Sequence, residues 1–116
     1  MPPPREVDLL RDILSSARAA LAYVSGKTES DLLRDAFLQD AVVRRFEIMG
    51  EAAKRIGMQT RTQYPQLPWK YMTGMRDHLA HEYDDVDYSL LWHTIQEDLP
   101  PLVAALEKIV PPGSPP

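Results

Sequence analysis

The 116-residue chain has no cysteine, which excludes a disulfide framework, a thiolate nucleophile and a cysteine-ligated metal, and removes any need for an oxidising compartment. It has no segment approaching the roughly 18 apolar residues that span a bilayer, and no basic N-terminal region followed by an apolar run. A membrane role is therefore not expected, and the cytoplasm is the default location. No stretch alternates apolar with polar residues under β-branched enrichment, and no long sequence period recurs, which argues against strands and against repeat arrays. Proline is scarce inside the chain: seven of the eleven prolines lie in Met1-Pro2-Pro3-Pro4 and Pro111-Pro112-Gly113-Ser114-Pro115-Pro116. The folding unit is expected over residues 5–110, one domain, with flexible Pro-rich tails at 1–4 and 111–116.

What is present is an ordinary apolar share, 44%, enough for one buried core. The net charge of −4 argues against a general nucleic-acid binder, but the charge is unevenly placed. Between Arg44 and Lys70 six bases (Arg44, Arg45, Lys54, Arg55, Arg61, Lys70) face two acids (Glu47, Glu51), whereas Asp77 to Asp98 holds seven acids and no lysine or arginine. A basic middle meets an acidic stretch around residue 76.

Apolar residues at three-and-four spacing predict helices in order. Leu10, Ile13, Leu14, Ala17, Leu21 and Val24 form one face of a helix over residues 5–24. Gly26 suits a left-handed cap, and Thr28 or Ser30 can start a short helix reaching about Phe37. Val42, Phe46, Met49, Ala53 and Ile56 mark a long helix from about Gln39 to Met58, with Asp40 as its cap. Gly50 in its middle points either to a close backbone neighbour or to a tolerated exposed glycine. Residues 59–67 are polar and broken by Pro65, so they read as a connection. Pro68 opens a helix running to about Glu82, the turn Asp84-Asp85-Val86-Asp87 supplies capping carboxylates, and a last helix buries Leu91, Ile95, Leu99, Leu102, Leu106 and Ile109. Pro100-Pro101 should bend or restart that helix near Glu97 to Leu99. The fold class is all-α, an antiparallel four- to five-helix bundle with its last helix kinked near Pro100.

Chemistry concentrates in Arg76-Asp77-His78-Leu79-Ala80-His81-Glu82-Tyr83. On a straight helix Trp69, Met72, Met75, Leu79, Ala80 and Tyr83 face the core, and Arg76 and His81 are separated by about 140° around the axis. Groups that act on one phosphate must reach a common ligand, so a regular helix in one chain does not suffice. The arrangement favours a cleft completed by a second copy across a two-fold axis. Three readings of the octet compete. It is a solvated helix end with Arg76 snorkelling beside Tyr83; or a metal site from His78, His81 and Glu82, which lacks a second ligand cluster; or a phosphodiester-cleaving pair, Arg76 neutralising the phosphate and His81 moving a proton. Asp77, one turn before His81, can orient the imidazole but also repels a phosphate.

The octet resembles the motif Arg, four residues, His, one residue, Tyr of the HepT-like branch of the HEPN domain family, toxins of prokaryotic toxin–antitoxin pairs; here it is Arg76, His81 and Tyr83. The flanks are similar as well: Ala41 to Lys54 on the long helix, Tyr64-Pro65-Gln66-Leu67-Pro68-Trp69 before the motif, and Gln96-Glu97-Asp98-Leu99-Pro100 on the last helix, so the likeness covers about residues 8–106. The resemblance implies a helical bundle, a homodimer with two motif helices facing a shared cleft, and metal-independent endoribonuclease cleavage of RNA with no cofactor. It implies Arg76 and His81 as the catalytic pair. Tyr83 matches the tyrosine to which a partner nucleotidyltransferase antitoxin adds AMP (AMPylation). The family often has Asn after the arginine; here Asp77 places a negative charge beside the phosphate site. Glu51, in a familiar Gly-Glu-Ala stretch, either hydrogen-bonds the motif arginine or is a surface acid facing Arg55. Trp92 and His93 read as packing and a solvated face rather than RNA stacking. The alternative, favoured by Asp77, is a non-catalytic helical interaction subunit that binds a nucleotidyltransferase or a nucleotide.

Overall fold

Helix α1, Pro4–Val24, begins on a proline whose missing N–H falls where no intrahelical partner exists. Its buried side, including Leu10, Ile13, Leu14, Ala17 and Val24, is the face expected from the spacing. The computed structural model that shows this describes residues 2–74 and 86–112. The helix closes at Ser25, and Gly26 turns the chain at φ +74°, the left-handed region that glycine enters without a Cβ penalty. Thr28 then caps α2, Glu29–Arg34, in a reciprocal box: its hydroxyl accepts from the Asp31 N–H at 3.1 Å while the Asp31 carboxylate accepts from the Thr28 N–H at 2.8 Å.

The long helix α3 spans Ala36–Lys54 rather than starting near Gln39. Asp35, not Asp40, is its cap, because Asp35 is held in extended backbone where its Oδ1 accepts from the N–H groups of Phe37 (3.0 Å) and Leu38 (3.2 Å). Phe37 accordingly belongs to the first turn of α3 and not to the end of α2. Val42, Phe46, Met49 and Ala53 are fully buried on α3. Gly50 is buried too, which discards the reading of a tolerated exposed glycine.

The polar stretch expected to be a plain connection contains a further helix, α4, Met58–Gln63. Its cap comes from far away in sequence. Gly57 has no side chain to offer, and the carboxylate of Glu6 on α1 instead accepts from the Gly57 N–H at 2.9 Å and from the Thr60 hydroxyl. Arg61 on α4 donates to the carbonyls of Ala53 and Ile56, both at 3.0 Å, satisfying the end of α3. The Thr60 hydroxyl and then the Gly57 N–H hold the Glu6 carboxyl below its ordinary value near 4.5. A carboxylate with a lowered folded-state pKa contributes stability that is present above the unfolded value and lost as pH falls through the folded one. Glu6→Gln should therefore melt below wild type at neutral pH, and the gap should close as pH falls below the ordinary carboxylate range, as read by thermal denaturation from neutral to acid pH.

Helix α5, Trp69–Thr73, follows Pro68, whose carbonyl accepts from the Met72 N–H at 2.9 Å. After the undescribed segment, Asp87 caps α6, Tyr88–Glu97, with Oδ1 3.0 Å from the Leu90 N–H. The expected break occurs as a restart: α6 ends at Glu97, Asp98 intervenes, and α7 runs Leu99–Glu107 with its two prolines in the first turn. Leu91, Ile95, Leu99, Leu102 and Leu106 are all buried. The molecule is thus all-α, with seven helices among the described residues; α1 packs most heavily on α3 and also on α7, and α3 carries α5. No helix among the described residues is long and apolar enough to cross a membrane.

Candidate active site and its frame

Arg76, Asp77, His81 and Tyr83, together with His78 and Glu82, lie outside the described residues. So do the wheel positions that separate Arg76 from His81. What the structure places is the frame on either side, from Gly74 at the end of α5 to Val86 before α6.

The near side is anchored by packing and by capping. Met72 is fully buried, and the indole N–H of Trp69 donates to the Tyr64 carbonyl at 2.9 Å. The Arg61 guanidinium lies 5.8 Å from the Trp69 ring centre, a cation–π distance. The last turn of α5 closes through the Gly74 N–H to the Lys70 carbonyl at 3.2 Å. The far side is anchored by the Asp87 cap and by buried Leu91, Thr94 and Ile95.

The two sides are tied directly. Tyr71 on α5 donates its phenolic hydrogen to Thr94 Oγ1 on α6 at 3.3 Å. Burial pushes the Tyr71 phenol above its ordinary pKa, against the opposing effect of the Thr94 hydrogen bond, so it remains a neutral donor. The Tyr71–Thr94 tie and the Glu6 links join residues far apart in the chain, and the Arg61 links run from a side chain to carbonyls five and eight residues back, so none of them leaves a spacing pattern in the sequence. The motif segment thus starts and ends on two helices that are both packed on the core and bonded to each other.

Charge around the frame follows the uneven distribution of the sequence. Arg44, Lys54, Arg55 and Lys70, which precede the motif segment in the chain, are exposed, as are Asp87, Glu97 and Asp98, which follow it. Glu51 is exposed on α3 and makes no ion pair among the described residues, Arg55 included. Trp92 is half-buried against the core, and the exposed His93 stands 3.4 Å from Glu29 Oε1, in keeping with packing and a solvated face. A cleft of about 380 Å³ beside Tyr71 is lined by Glu97 and Asp98, charges that repel a phosphate. A larger one of about 540 Å³ between α1 and α7 holds Arg11 and Arg18, but Arg18 is paired with Glu107 at 2.5 Å and Arg11 donates to the Pro111 carbonyl at 3.2 Å.

Residues 13–109 match the family described as Ribonuclease HepT-like. The chain is 43% identical over 101 residues to a gamma-glutamylcyclotransferase and putative RNase of Methanocaldococcus jannaschii, an alignment that covers 87% of this chain but only 46% of that longer relative. It is 38% identical over 102 residues to a probable ribonuclease HepT of Thermococcus cleftensis, covering 88% of this chain and 93% of the relative. It is 36% identical over 98 residues to a putative RNase of Methanocaldococcus jannaschii, covering 84% and 90%. No solved structure matches the chain at a significant level.

Proposed function

This chain belongs to the HepT-like ribonuclease family, and on that premise we propose that it is the endoribonuclease toxin of a toxin–antitoxin pair, cleaving cellular RNA in the cytoplasm, without a metal, at a cleft shared by two copies. The observation that carries this reading is the extent of the family match, residues 13–109, which encloses the whole Arg76–His81–Tyr83 motif together with the helices that frame it.

In this reading Arg76 binds and neutralises the scissile phosphate, and its guanidinium offers paired donors to two phosphate oxygens. His81 moves the proton. The ribose 2′-oxygen attacks phosphorus as its proton leaves to a base, the 5′-oxygen departs as it takes a proton, and a 2′,3′-cyclic phosphate is the product. Tyr83 is the site of regulation: an AMP added there by a nucleotidyltransferase antitoxin sets bulk and negative charge where the RNA phosphate must dock. In this reading the negative charge of Asp77, next to Arg76 in the sequence, weakens phosphate binding.

The test is incubation of the purified, unmodified chain with cellular RNA in the presence of a chelator. The expected result is cleavage that leaves cyclic phosphate ends, with intact mass showing AMP on Tyr83 once the antitoxin is co-expressed. Absence of any cleavage by unmodified protein would sink the enzyme reading. The second reading, a non-catalytic subunit, is favoured by Asp77. It is selected if the chain co-purifies with a nucleotidyltransferase and neither form cleaves RNA.

A further inference from the structure

Among the described residues the most exposed large apolar side chain is Phe37, 89% exposed in the first turn of α3. Its backbone is held in place. The Phe37 N–H donates to the Asp35 cap at 3.0 Å, and the Asp35 N–H donates to the Asp31 carbonyl at 2.9 Å. The ring therefore stands in solvent on a fixed footing, with only two side-chain torsions to lose when something lies against it.

Beside the ring an open cleft of about 430 Å³ runs between the turn after α1, the helix α2 and the start of α3. Four charged residues line it with Phe37: Lys27, Asp31, Arg34 and Asp35. The two acids are engaged by the fold. Asp31 accepts from the Thr28 N–H at 2.8 Å and Asp35 from the Phe37 and Leu38 N–H groups, so each carboxylate sits where a helix begins and its backbone is positive. The two cations are not engaged in this way. Lys27 and Arg34 are exposed and form no ion pair among the described residues. Arg34 donates through Nε to the Ser30 carbonyl at 3.3 Å, which leaves the outer nitrogens of its guanidinium without a partner among the described residues.

An exposed ring next to two uncommitted cations matches what single-stranded nucleic acid offers, a base with a free π face and a phosphate on either side of it. A protein partner that covered the ring with apolar side chains would also strip water from the four charges of the cleft, which is costly unless each finds a partner. A nucleotide strand avoids that cost, because its phosphates meet the cations while the rest of the cleft stays wet. A duplex does not meet the ring in the same way, since its bases are already stacked on one another.

We propose that Phe37, Lys27 and Arg34 form a second contact for RNA, outside the motif segment: one unstacked base of a single-stranded stretch lies on the Phe37 ring, and the phosphates next to it are held by Lys27 and Arg34. This rests on the reading of the chain as a ribonuclease and adds to it the form of RNA that is preferred, single strand over duplex.

The test measures binding of the full chain to a labelled, unstructured 2′-O-methyl RNA of about 12 nucleotides by fluorescence anisotropy. The methylated sugar lacks the attacking hydroxyl, so the strand is not consumed. Phe37→Ala should weaken binding about five- to tenfold, Phe37→Leu, which keeps apolar bulk without a ring face, should weaken it as much, and Phe37→Trp should retain it. Lys27→Gln combined with Arg34→Gln should lower the slope of log Kd against log salt by about 1.4, or about 0.7 for each of two phosphates. A duplex of the same length should bind with no dependence on Phe37. All these positions are exposed, so circular dichroism and the mass in sedimentation should stay unchanged. Equal binding by wild type and Phe37→Ala overturns the site and leaves the ribonuclease reading standing, as does full binding by Phe37→Leu. A wild type that neither binds nor cleaves RNA overturns both. Weaker binding by Phe37→Ala with a fall in sedimentation mass assigns the ring to a contact between protein copies, and that also overturns the proposal.

Discussion

His81→Ala should lower RNA cleavage by about two to four orders of magnitude, the range over which a positioned general acid or base acts. Arg76→Ala should fall at least as far, and Arg76→Lys should recover only part of the loss, because an ammonium keeps the charge but not the planar pair of donors. Neither change should alter the melting temperature by more than a degree or two if the side chains serve chemistry rather than packing. The more telling measurement mixes the two dead variants. On a regular helix the arginine and histidine point about 140° apart, so a shared cleft would draw them from different copies. A mixed dimer then holds one site with both groups missing and one site intact, and random exchange should return about a quarter of wild-type activity. No recovery on mixing, with subunit exchange verified, would place both groups of a site in a single copy and remove the argument for a shared cleft.

Phe46→Ala should destabilise the fold by about 3–5 kcal/mol, because a fully buried aromatic ring is replaced by a cavity that the helices around it close only in part. Phe46 is 1% exposed on α3, the helix that packs on α1 and carries α5. Against a typical domain stability of about 5–15 kcal/mol that loss is a large fraction of the total. Urea denaturation should show the midpoint falling with little change in slope. Cleavage should fall in proportion to the unfolded fraction and return under stabilising osmolyte, unlike that of His81→Ala. The two variants thus separate loss of the frame from loss of the reacting groups.

Local signals account for most of the helical architecture. The buried faces of α1, α3 and α6–α7 contain the apolar residues expected from three-and-four spacing, Gly26 takes the left-handed conformation, and the proline pair forces the restart at Leu99. The errors fall where a distant residue made the decision. Asp40 and Asp35 are equally good caps as strings, and the choice went to Asp35 because α2 ends there in extended backbone. The stretch after Gly57 looked like a loop because its cap, Glu6, lies at the start of the chain.

By itself the sequence determined the helical class and the apolar faces, and it singles out the candidate octet, since each depends on residue types at short spacing. It also determined family membership, through the motif and its flanks across residues 13–109. Only the tertiary structure decided that Tyr71 and Thr94 bind the two helices flanking the motif segment, that Glu6 and Arg61 pin α4, and that Phe37 on α3 stands uncovered. The physical reason is the same in each case. Helical periodicity shows which side of an element is apolar, but which distant donor meets which acceptor, and which polar face is left without a neighbour, is set when the helices pack.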